Sequence, residues 1–369
     1  MPSTPRRRTM RRLDFYNISP TIRIMSKSHI PVTVLTGFLG SGKTTILSKL
    51  IRDPAFSDTA VIVNEFGEVG LDHMLVSSSD ETIIDLSCGC ICCTIRGDLM
   101  LTLSDLKERR EQGTVSPFAR VVIETTGLAD PAPIIHTLMQ EPTVFTSYRL
   151  AQIVTVVDTV NGMTTLDRHS EAVKQVAVAD GLLMTKTDIV QDVDAMDALD
   201  TRINHINPSA HREECVNGRV PPSFLFTGGV YDPENKGTDF VDWLSGETEG
   251  LPNTVLANDR HDDAITTFSI SRNEPISRGA LGVFMQMLAD QKGADLLRMK
   301  GLVQLTDDQS KPAVVHGVQH VVHPIERLDA WPTTTRQTIL IFIVSGIPVT
   351  WIEDLWDTVI ESAYADLRV

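Results

Sequence analysis

The sequence predicts an α/β protein with a mostly parallel sheet and helices on both faces, followed by a smaller α/β domain. Two observations support this prediction. Short runs of β-branched and aliphatic residues alternate with helical stretches, a pattern typical of parallel strands joined by helices. After Phe226 the chain becomes rich in Gly, Pro, Asp and Asn, which indicates a long connection to a second unit.

Short buried strands alternate with helices in the first unit. Helices are predicted over 98–111 and 171–179, and a further helix opens at Thr44. The predicted strands cover residues 32–36, 60–63, 121–123, 153–157 and 182–185. Because parallel strands end at one edge of their sheet, functional loops are expected to follow these strands.

The second unit has its own pattern of strands and helices. Strands are predicted over 265–270, 302–305, 313–322 and 339–344, and helices over 278–291 and 352–364. We therefore divide the chain into a basic extension expected to be disordered (1–29), a first domain (30–227), a linker (228–263) and a second domain (264–369).

The composition is that of a soluble globular protein, with 42% hydrophobic and 22% charged residues. No apolar run approaches the roughly 20 residues that span a bilayer, and no signal-peptide core is present. We therefore expect a cytoplasmic protein without a membrane partner.

Charge is distributed unevenly along the chain. The net charge is −15, and residues 1–29 carry seven basic groups and one acid, so the rest is near −21. An acidic body argues against a nucleic-acid partner. The basic arm could be a nucleic-acid tail or a targeting peptide, but Met25 also offers a later start, and we favour an extension of little function.

A glycine-rich loop, Gly-Phe-Leu-Gly-Ser-Gly-Lys-Thr at residues 37–44, lies between the first predicted strand and a helix. This is the Walker A motif, in which backbone N–H groups and the helix N-terminus bind phosphate. Lys43 would reach the β- and γ-phosphates, and the Thr44 hydroxyl would ligate Mg²⁺. The nucleotide-binding candidates here are Gly37, Gly40, Ser41, Gly42, Lys43, Thr44 and Thr45.

A second phosphate element follows the strand at 121–123, which ends at Glu124. Glu124 would bind Mg²⁺ directly or through water, and Gly127 would let the backbone meet the γ-phosphate. Lys43 and Glu124 are the catalytic candidates, through positioning and charge stabilisation. The competing interpretation, an ordinary carboxylate at a strand end, explains neither the preceding apolar run nor the glycine.

Thr185-Lys186-Thr187-Asp188 is similar to the Asn-Lys-x-Asp motif that selects guanine. The Asp188 carboxylate would accept hydrogen bonds from guanine N1 and N2, which adenine cannot offer, and the Lys186 stem would cover the base. Thr185 stands where the motif usually has Asn, so we do not predict the supporting contact that this Asn makes. The motif favours GTP over ATP and argues against a small-molecule kinase.

Four of the five cysteines fall within residues 88–93. Thiolates are soft ligands for Zn²⁺, Cu⁺ or Co²⁺, and Cys90, Cys92 and Cys93 offer up to three of them. A compact cluster with an open position suits metal exchange better than a permanent scaffold. Redox chemistry is the alternative. Cys88 and Cys215 are interpreted as incidental.

These motifs occur in one order along the chain, together with residues 64–70, Asn-Glu-Phe-Gly-Glu-Val-Gly. In this combination the chain resembles the CobW-like GTPases, and residues 298–301 and 316–320 extend the resemblance into the second unit. The resemblance implies a SIMIBI-class P-loop domain and a nucleotide-dependent metallochaperone. It also implies that Glu65 can help to bind the transition metal.

We therefore predict a GTP-hydrolysing metallochaperone that binds zinc, with Co²⁺ also open, and delivers it to a client metalloprotein. A cobalt-handling protein of cobalamin synthesis and a metalloenzyme activator are alternatives within this class. A zinc-buffering or redox protein regulated by nucleotide is the alternative outside it. No residue is recognisable as an arginine finger or a water-positioning Gln, so slow intrinsic hydrolysis is expected.

Three histidines, His316, His320 and His323, lie among valines in the predicted strand 313–322 and just after it. Strand alternation places His316 and His320 on one face and His323 on the other. We interpret them as partly exposed structural residues, with a secondary metal or partner contact as the alternative.

Overall fold

The computed structural model describes residues 29–63, 83–85, 95–190, 192–226, 265–332 and 336–366. The predicted linker and residues 1–28 of the extension lie outside these ranges, as do Glu65, Cys88, Cys90, Cys92 and Cys93. Within them, no helix has the length and apolarity needed to cross a membrane.

The first domain is built on a sheet in which seven strands are described, and every neighbouring pair is parallel. The order across the sheet is β3-β2-β4-β1-β5-β6-β7. The strands are β1 (Ile30–Thr36), β2 (Thr59–Val63), β3 (Ile83–Asp85), β4 (Arg120–Glu124), β5 (Tyr148–Asp158), β6 (Gly181–Thr185) and β7 (His211–Cys215). The predicted parallel sheet is confirmed.

Helices cover both faces of this sheet. Val34 of β1 packs with Leu103 and Ile135 on one face, whereas the next residue, Leu35, packs with Ile46 on the other. The helices are α1 (Lys43–Leu50), α2 (Ile95–Gln112), α3 (Ala132–Gln140), α4 (Pro142–Phe145), α5 (Gly162–Arg168), α6 (Ser170–Val178), α7 (Val193–Ile206) and α8 (Pro222–Phe226), with 3-10 turns at Pro54–Phe56 and Val216–Gly218.

The second domain is an antiparallel sheet whose main path runs β11-β10-β9-β13-β8, with β12 paired to β10. Phe284 and Trp356, on the two helices, meet edge to face with ring centroids 5.0 Å apart in the core. The elements are β8 (Ile265–Arg272), α9 (Arg278–Lys292), β9 (Leu296–Val303), β10 (Ala313–Val318), β11 (Val321–Val322), β12 (Glu326–Arg327), β13 (Thr338–Ser345) and α10 (Val349–Asp366).

The predicted strand 313–322 is wrong, because the chain reverses within it. Gln319 adopts the left-handed conformation with φ 52°, and β10 and β11 form a tight hairpin around Gln319 and His320. The reversal brings His316 and His323 together, with ring centroids 5.9 Å apart, and leaves His320 exposed in the turn. The predicted facing of the three histidines is therefore also wrong.

His316 is buried, with 6% of its surface exposed, and is not partly exposed as predicted. Burial lowers the pKa of both His316 and His323, to about 3 for His323, so both imidazoles are neutral near pH 7. In the part of the chain that the structure describes, no cluster of three or more potential metal ligands occurs. Nothing there supports the alternative of a metal site at these histidines.

A buried carboxylate joins the two domains. Asp180, which follows α6, accepts hydrogen bonds from Lys300 Nζ at 2.9 Å, from the Arg298 guanidinium and from the Ile153 amide at 2.8 Å. Arg298 also donates to the Val178 carbonyl at the end of α6. Burial would raise the pKa of Asp180, but the charges of Arg298 and Lys300 outweigh it and hold the pKa well below its ordinary range.

We expect Asp180→Asn to lower the free energy of unfolding by about 3–5 kcal/mol, because it removes the anion between two buried cations. Urea denaturation followed by tryptophan fluorescence measures this. The carboxyl pKa is depressed in the folded state, so its contribution is present above about pH 4 and declines as the pH falls further. The difference between wild type and variant should therefore shrink in acid.

Glu111→Gln is the control for this variant, since Glu111 pairs with Lys107 at 3.7 Å on the exposed face of α2. Exposed pairs contribute little, so the control should unfold like the wild type. Equal destabilisation by both variants would show that the Asp180 cluster is no more than an ordinary ion pair.

Candidate nucleotide site

The Walker A loop connects β1 to α1 at the carboxyl edge of the sheet. Gly37, Gly40 and Gly42 all have positive φ, at 140°, 73° and 105°. A Cβ on Gly37 would lie 2.4 Å from the Val156 carbonyl oxygen, so close approach to β5 also requires glycine there. Gly42 caps α1 without a side chain, which leaves the first N–H groups of the helix available to bind an anion.

Lys43 lies across this loop. Its ammonium donates hydrogen bonds to the carbonyls of Gly37 at 2.7 Å and Phe38 at 3.2 Å. The Ser41 hydroxyl is buried and has no hydrogen-bond partner among the described residues, as expected of a group that meets a phosphate oxygen. Thr44 and Thr45 are exposed at the start of α1.

Glu124 ends β4 beside the Walker A strand. It is 6% exposed and pairs in register with Leu35 of β1 on one side and Val63 of β2 on the other. The loop after Glu124 is tied to β1 because the Thr125 hydroxyl donates to the Thr36 hydroxyl at 2.7 Å.

Gly127 touches the Walker A loop directly. A Cβ on Gly127 would lie 2.7 Å from the amide nitrogen of Leu39 and 2.9 Å from its Cα, so only glycine allows this contact. The two predicted phosphate elements thus lie against each other, and their roles stay predictions.

The guanine box contacts the same loop. The Thr185 hydroxyl donates a hydrogen bond to the Ser41 carbonyl at 2.6 Å, which joins β6 to the Walker A loop. The sequence did not predict this contact. Lys186, at φ 61°, donates to the Gly40 carbonyl at 3.0 Å. Asp188 is exposed at the mouth of this region, where a base edge could reach its carboxylate.

Sequence analysis missed Asp158, which holds Lys186 in place. The carboxylate ends β5 and pairs with Lys186 Nζ at 2.7 Å. Burial opposes ionisation of Asp158, but hydrogen bonds from Lys186 and Asn161 leave its pKa below the ordinary value. Its signal in the sequence was an acid directly after a long apolar run, the same signal that marks Glu124.

The donor set fits magnesium. The Thr44 hydroxyl and the Glu124 carboxylate are hard oxygen ligands, and Mg²⁺ in nucleotide sites takes few protein ligands beside phosphate oxygens. These two residues would hold the ion, which when bound neutralises charge on the phosphates.

Val63 and Asp85, the last described residues before the stretches that carry the transition-metal candidates, lie one and two strands away from Glu124. Val63 pairs in register with Glu124 on one side and with Asp85 on the other. Glu65 follows two residues after Val63, and Cys90 follows five after Asp85. The cysteines and Glu65 themselves lie outside the described residues.

Comparisons with known proteins match this arrangement. A family model described as "CobW/HypB/UreG, nucleotide-binding domain" matches residues 31–212, and one described as "Cobalamin synthesis protein cobW C-terminal domain" matches residues 265–360. Zinc chaperone YjiA of Escherichia coli (strain K12) is 30% identical over 340 residues, covering 92% of this chain and 99% of that protein.

Zinc-regulated GTPase metalloprotein activator 1 of Saccharomyces cerevisiae is 28% identical over 336 residues, covering 80% of this chain and 76% of that protein. The crystal structure of Zn(II)-bound YjiA GTPase from E. coli aligns with a TM-score of 0.64 at 26% identity, covering 90% of this chain and 99% of that one. The resemblance predicted from the motifs is confirmed: the chain belongs to the CobW family of P-loop GTPases.

Proposed function

We propose that this GTPase is a metallochaperone that binds a transition metal, zinc first among them, at Cys90, Cys92 and Cys93 and delivers it to a client metalloprotein. Two kinds of support exist. The relatives above are named as a zinc chaperone and as a zinc-regulated GTPase metalloprotein activator. Thiolates are also the ligands that zinc and other soft metals prefer.

The observation that carries the proposal is the register of three neighbouring strands. Glu124, Val63 and Asp85 lie side by side across β4, β2 and β3. Neighbouring strands are about 4.8 Å apart, so the stretches leading to Glu65 and the thiols start one and two strands from the magnesium carboxylate. Only four residues separate Asp85 from Cys90. A change at the γ-phosphate thus has a short path to the metal ligands.

Residues of the Walker A loop would do the work of hydrolysis. Its N–H groups and Lys43 orient and stabilise the phosphates, while Glu124 and Thr44 hold the magnesium ion. The backbone of Gly127 would meet the γ-phosphate and would lose that contact when phosphate leaves. If the segments bearing Glu65 and the cysteines respond, nucleotide alters metal affinity, and metal alters nucleotide affinity by the same factor.

GTP is the proposed nucleotide because Asp188 presents a carboxylate to the base. Thr185 replaces the usual Asn of the motif, yet its hydroxyl binds the Ser41 carbonyl and so fixes β6 against the Walker A loop. The substitution therefore leaves the guanine box in contact with the phosphate site.

Metal affinity in the two nucleotide states tests the proposal. We expect Zn²⁺ or Co²⁺ affinity to differ at least about tenfold between GDP and a non-hydrolysable GTP analogue, a coupling of about 1.4 kcal/mol. Competitive titration measures this, and Cys92→Ala should abolish tight binding. Cys215→Ala is the control, because Cys215 is buried and its thiol pKa is raised by burial to about 11. Affinity indifferent to nucleotide would favour the buffering or redox alternative.

Gly127→Ala tests the contact between the two phosphate elements. The added methyl group would collide with the backbone of Leu39 and displace the Walker A loop, so kcat/KM for GTP should fall at least about tenfold. Gly282→Ala is the matched control, since its Cβ would meet nothing within 4 Å in α9, and it should hydrolyse GTP normally. Normal turnover by Gly127→Ala would contradict the role given to this contact.

Asp188→Asn tests base selection. An amide cannot accept both guanine hydrogen bonds, so GTP affinity should fall at least about tenfold, and xanthosine triphosphate, which offers a carbonyl at position 2, should gain. Affinities from fluorescent-nucleotide displacement give the answer. Asp194→Asn, an exposed change in the first turn of α7, should leave both affinities as they are. If Asp188→Asn does likewise, Asp188 does not read the base.

A further inference from the structure

The loop that follows Glu124 is held from two sides by glutamine amides. On one side, Gln175 of α6 is fully buried, and its Nε2 donates to the carbonyls of Gly127 at 3.2 Å and Ala129 at 3.1 Å. The Gln175 backbone carbonyl accepts a hydrogen bond from Thr155 of β5 at 2.7 Å, which fixes this turn of α6 to the sheet. Gln175 thus sets the orientation of the peptide groups around Gly127.

On the other side, the amide comes from the second domain. Gln319 Nε2 donates to Asp130 Oδ2 at 3.0 Å, and Asp130 Oδ1 in turn accepts from the Ala132 amide at the start of α3. Asp130 therefore links the end of the loop both to α3 and to the second domain.

Gln319 is presented by the hairpin turn that the sequence did not predict. Its left-handed backbone, at φ 52°, allows the tight reversal, and the flanking Val318 and Val321 are 1% and 2% exposed. Both valines belong to the core cluster that includes Ile135 of α3. The turn is thus packed into the first domain, and its amide is held in place.

The contacts of both glutamines with this loop depend on how the second domain packs against the first. Gln319 belongs to that domain, and Gln175 lies in the helix whose terminal carbonyl, at Val178, binds Arg298 of β9. A movement of β9 and the hairpin relative to α6 would change both contacts. The second domain therefore helps to fix the position of the loop that carries Gly127.

We propose that Gln175 and Gln319 are positioning residues for the γ-phosphate, and that the second domain regulates GTP hydrolysis through the Gln319–Asp130 contact. Without these contacts, Gly127 is less well oriented toward a γ-phosphate. GDP lacks that group, so its binding does not use the loop. The proposal rests on the role proposed above for Gly127 in GTP hydrolysis and does not depend on metal delivery.

Gln319→Asn is the decisive variant. Asn keeps the amide but is one methylene shorter, so it loses the reach to Asp130, and it tolerates the left-handed conformation better than Gln does. We expect a small fall in thermal stability, because one hydrogen bond between the domains is lost, together with unchanged GDP affinity and about a tenfold fall in affinity for a non-hydrolysable GTP analogue. The kcat for GTP should fall with it.

Gln286→Asn is the matched control. Gln286 is exposed on α9 of the same domain and donates to Asp290 at 2.8 Å, so the variant removes the same kind of amide–carboxylate bond away from the loop. It should not change the ratio of analogue to GDP affinity. Gln319→Gly also suits the left-handed backbone and should reproduce Gln319→Asn. In the first domain, Gln175→Met keeps the chain length without the amide and should lower the same ratio.

Three outcomes would overturn the proposal. The ratio of analogue to GDP affinity could stay at the wild-type value in both Gln319 variants. It could fall equally in Gln286→Asn. Alternatively, Gln319→Asn could weaken GDP and the analogue by the same factor, which would indicate a structural role without any connection to the γ-phosphate.

Discussion

The relative position of the two domains depends on the buried ion pairs that the Asp180 carboxylate makes. This carboxylate lies at the end of α6, is held by the Ile153 amide of β5, and faces Arg298 and Lys300 of β9. The desolvation of three charged groups offsets much of their attraction, so a buried cluster of this kind stabilises a fold only modestly compared with apolar packing. The main effect of the cluster is on geometry. Apolar contacts would allow β9 to shift along α6, whereas these directional hydrogen bonds fix one position of β9 on the helix. The contacts of Gln175 and Gln319 with the Gly127 loop follow from that position.

A second constraint brings the phosphate site together. Parallel strands end at one edge, and here β1, β4, β5 and β6 each deliver a polar group to that edge. Hydrogen bonds then fix their relative positions. They run from Thr125 to Thr36, from Thr185 to Ser41 and from Lys186 to Gly40. Because the loop carbonyls already bind Lys43 and Lys186, the cationic groups are placed before nucleotide arrives. Such preorganisation reduces the reorganisation that charge development requires.

Local patterns in the sequence were sufficient for much of this fold. Apolar runs predicted the central strands of the first sheet, and the Walker A loop needs only its own residues to be recognised. The buried strand β9 begins at Leu296, whereas the prediction covered only 302–305, because Arg298 and Lys300 interrupt its apolar pattern. Two of the described strands of the first sheet were not predicted. The edge strand β7, with the sequence His-Arg-Glu-Glu-Cys, is polar and has no apolar run, and β3 spans only Ile83–Asp85. The hairpin turn at Gln319 has neither Gly nor Pro, so nothing local marked the reversal. Asp158, Gln175 and the second role of Thr185 act on residues far away in the chain, and single-sequence patterns do not contain such pairings.

The buried His316 and the half-buried His323 give the junction between the domains a further property. His316 and His323 lie near Arg298 and Lys300, where two cations already face one carboxylate. Burial and these positive neighbours keep both imidazoles uncharged, and the same cations keep Asp180 ionised. Imidazoles usually make a protein surface responsive to mild acid, but here they titrate well outside that range. Because unfolding returns both imidazoles to their ordinary pKa, acid protonates the unfolded chain first, and the packing of this junction weakens as the pH falls below about 6.5.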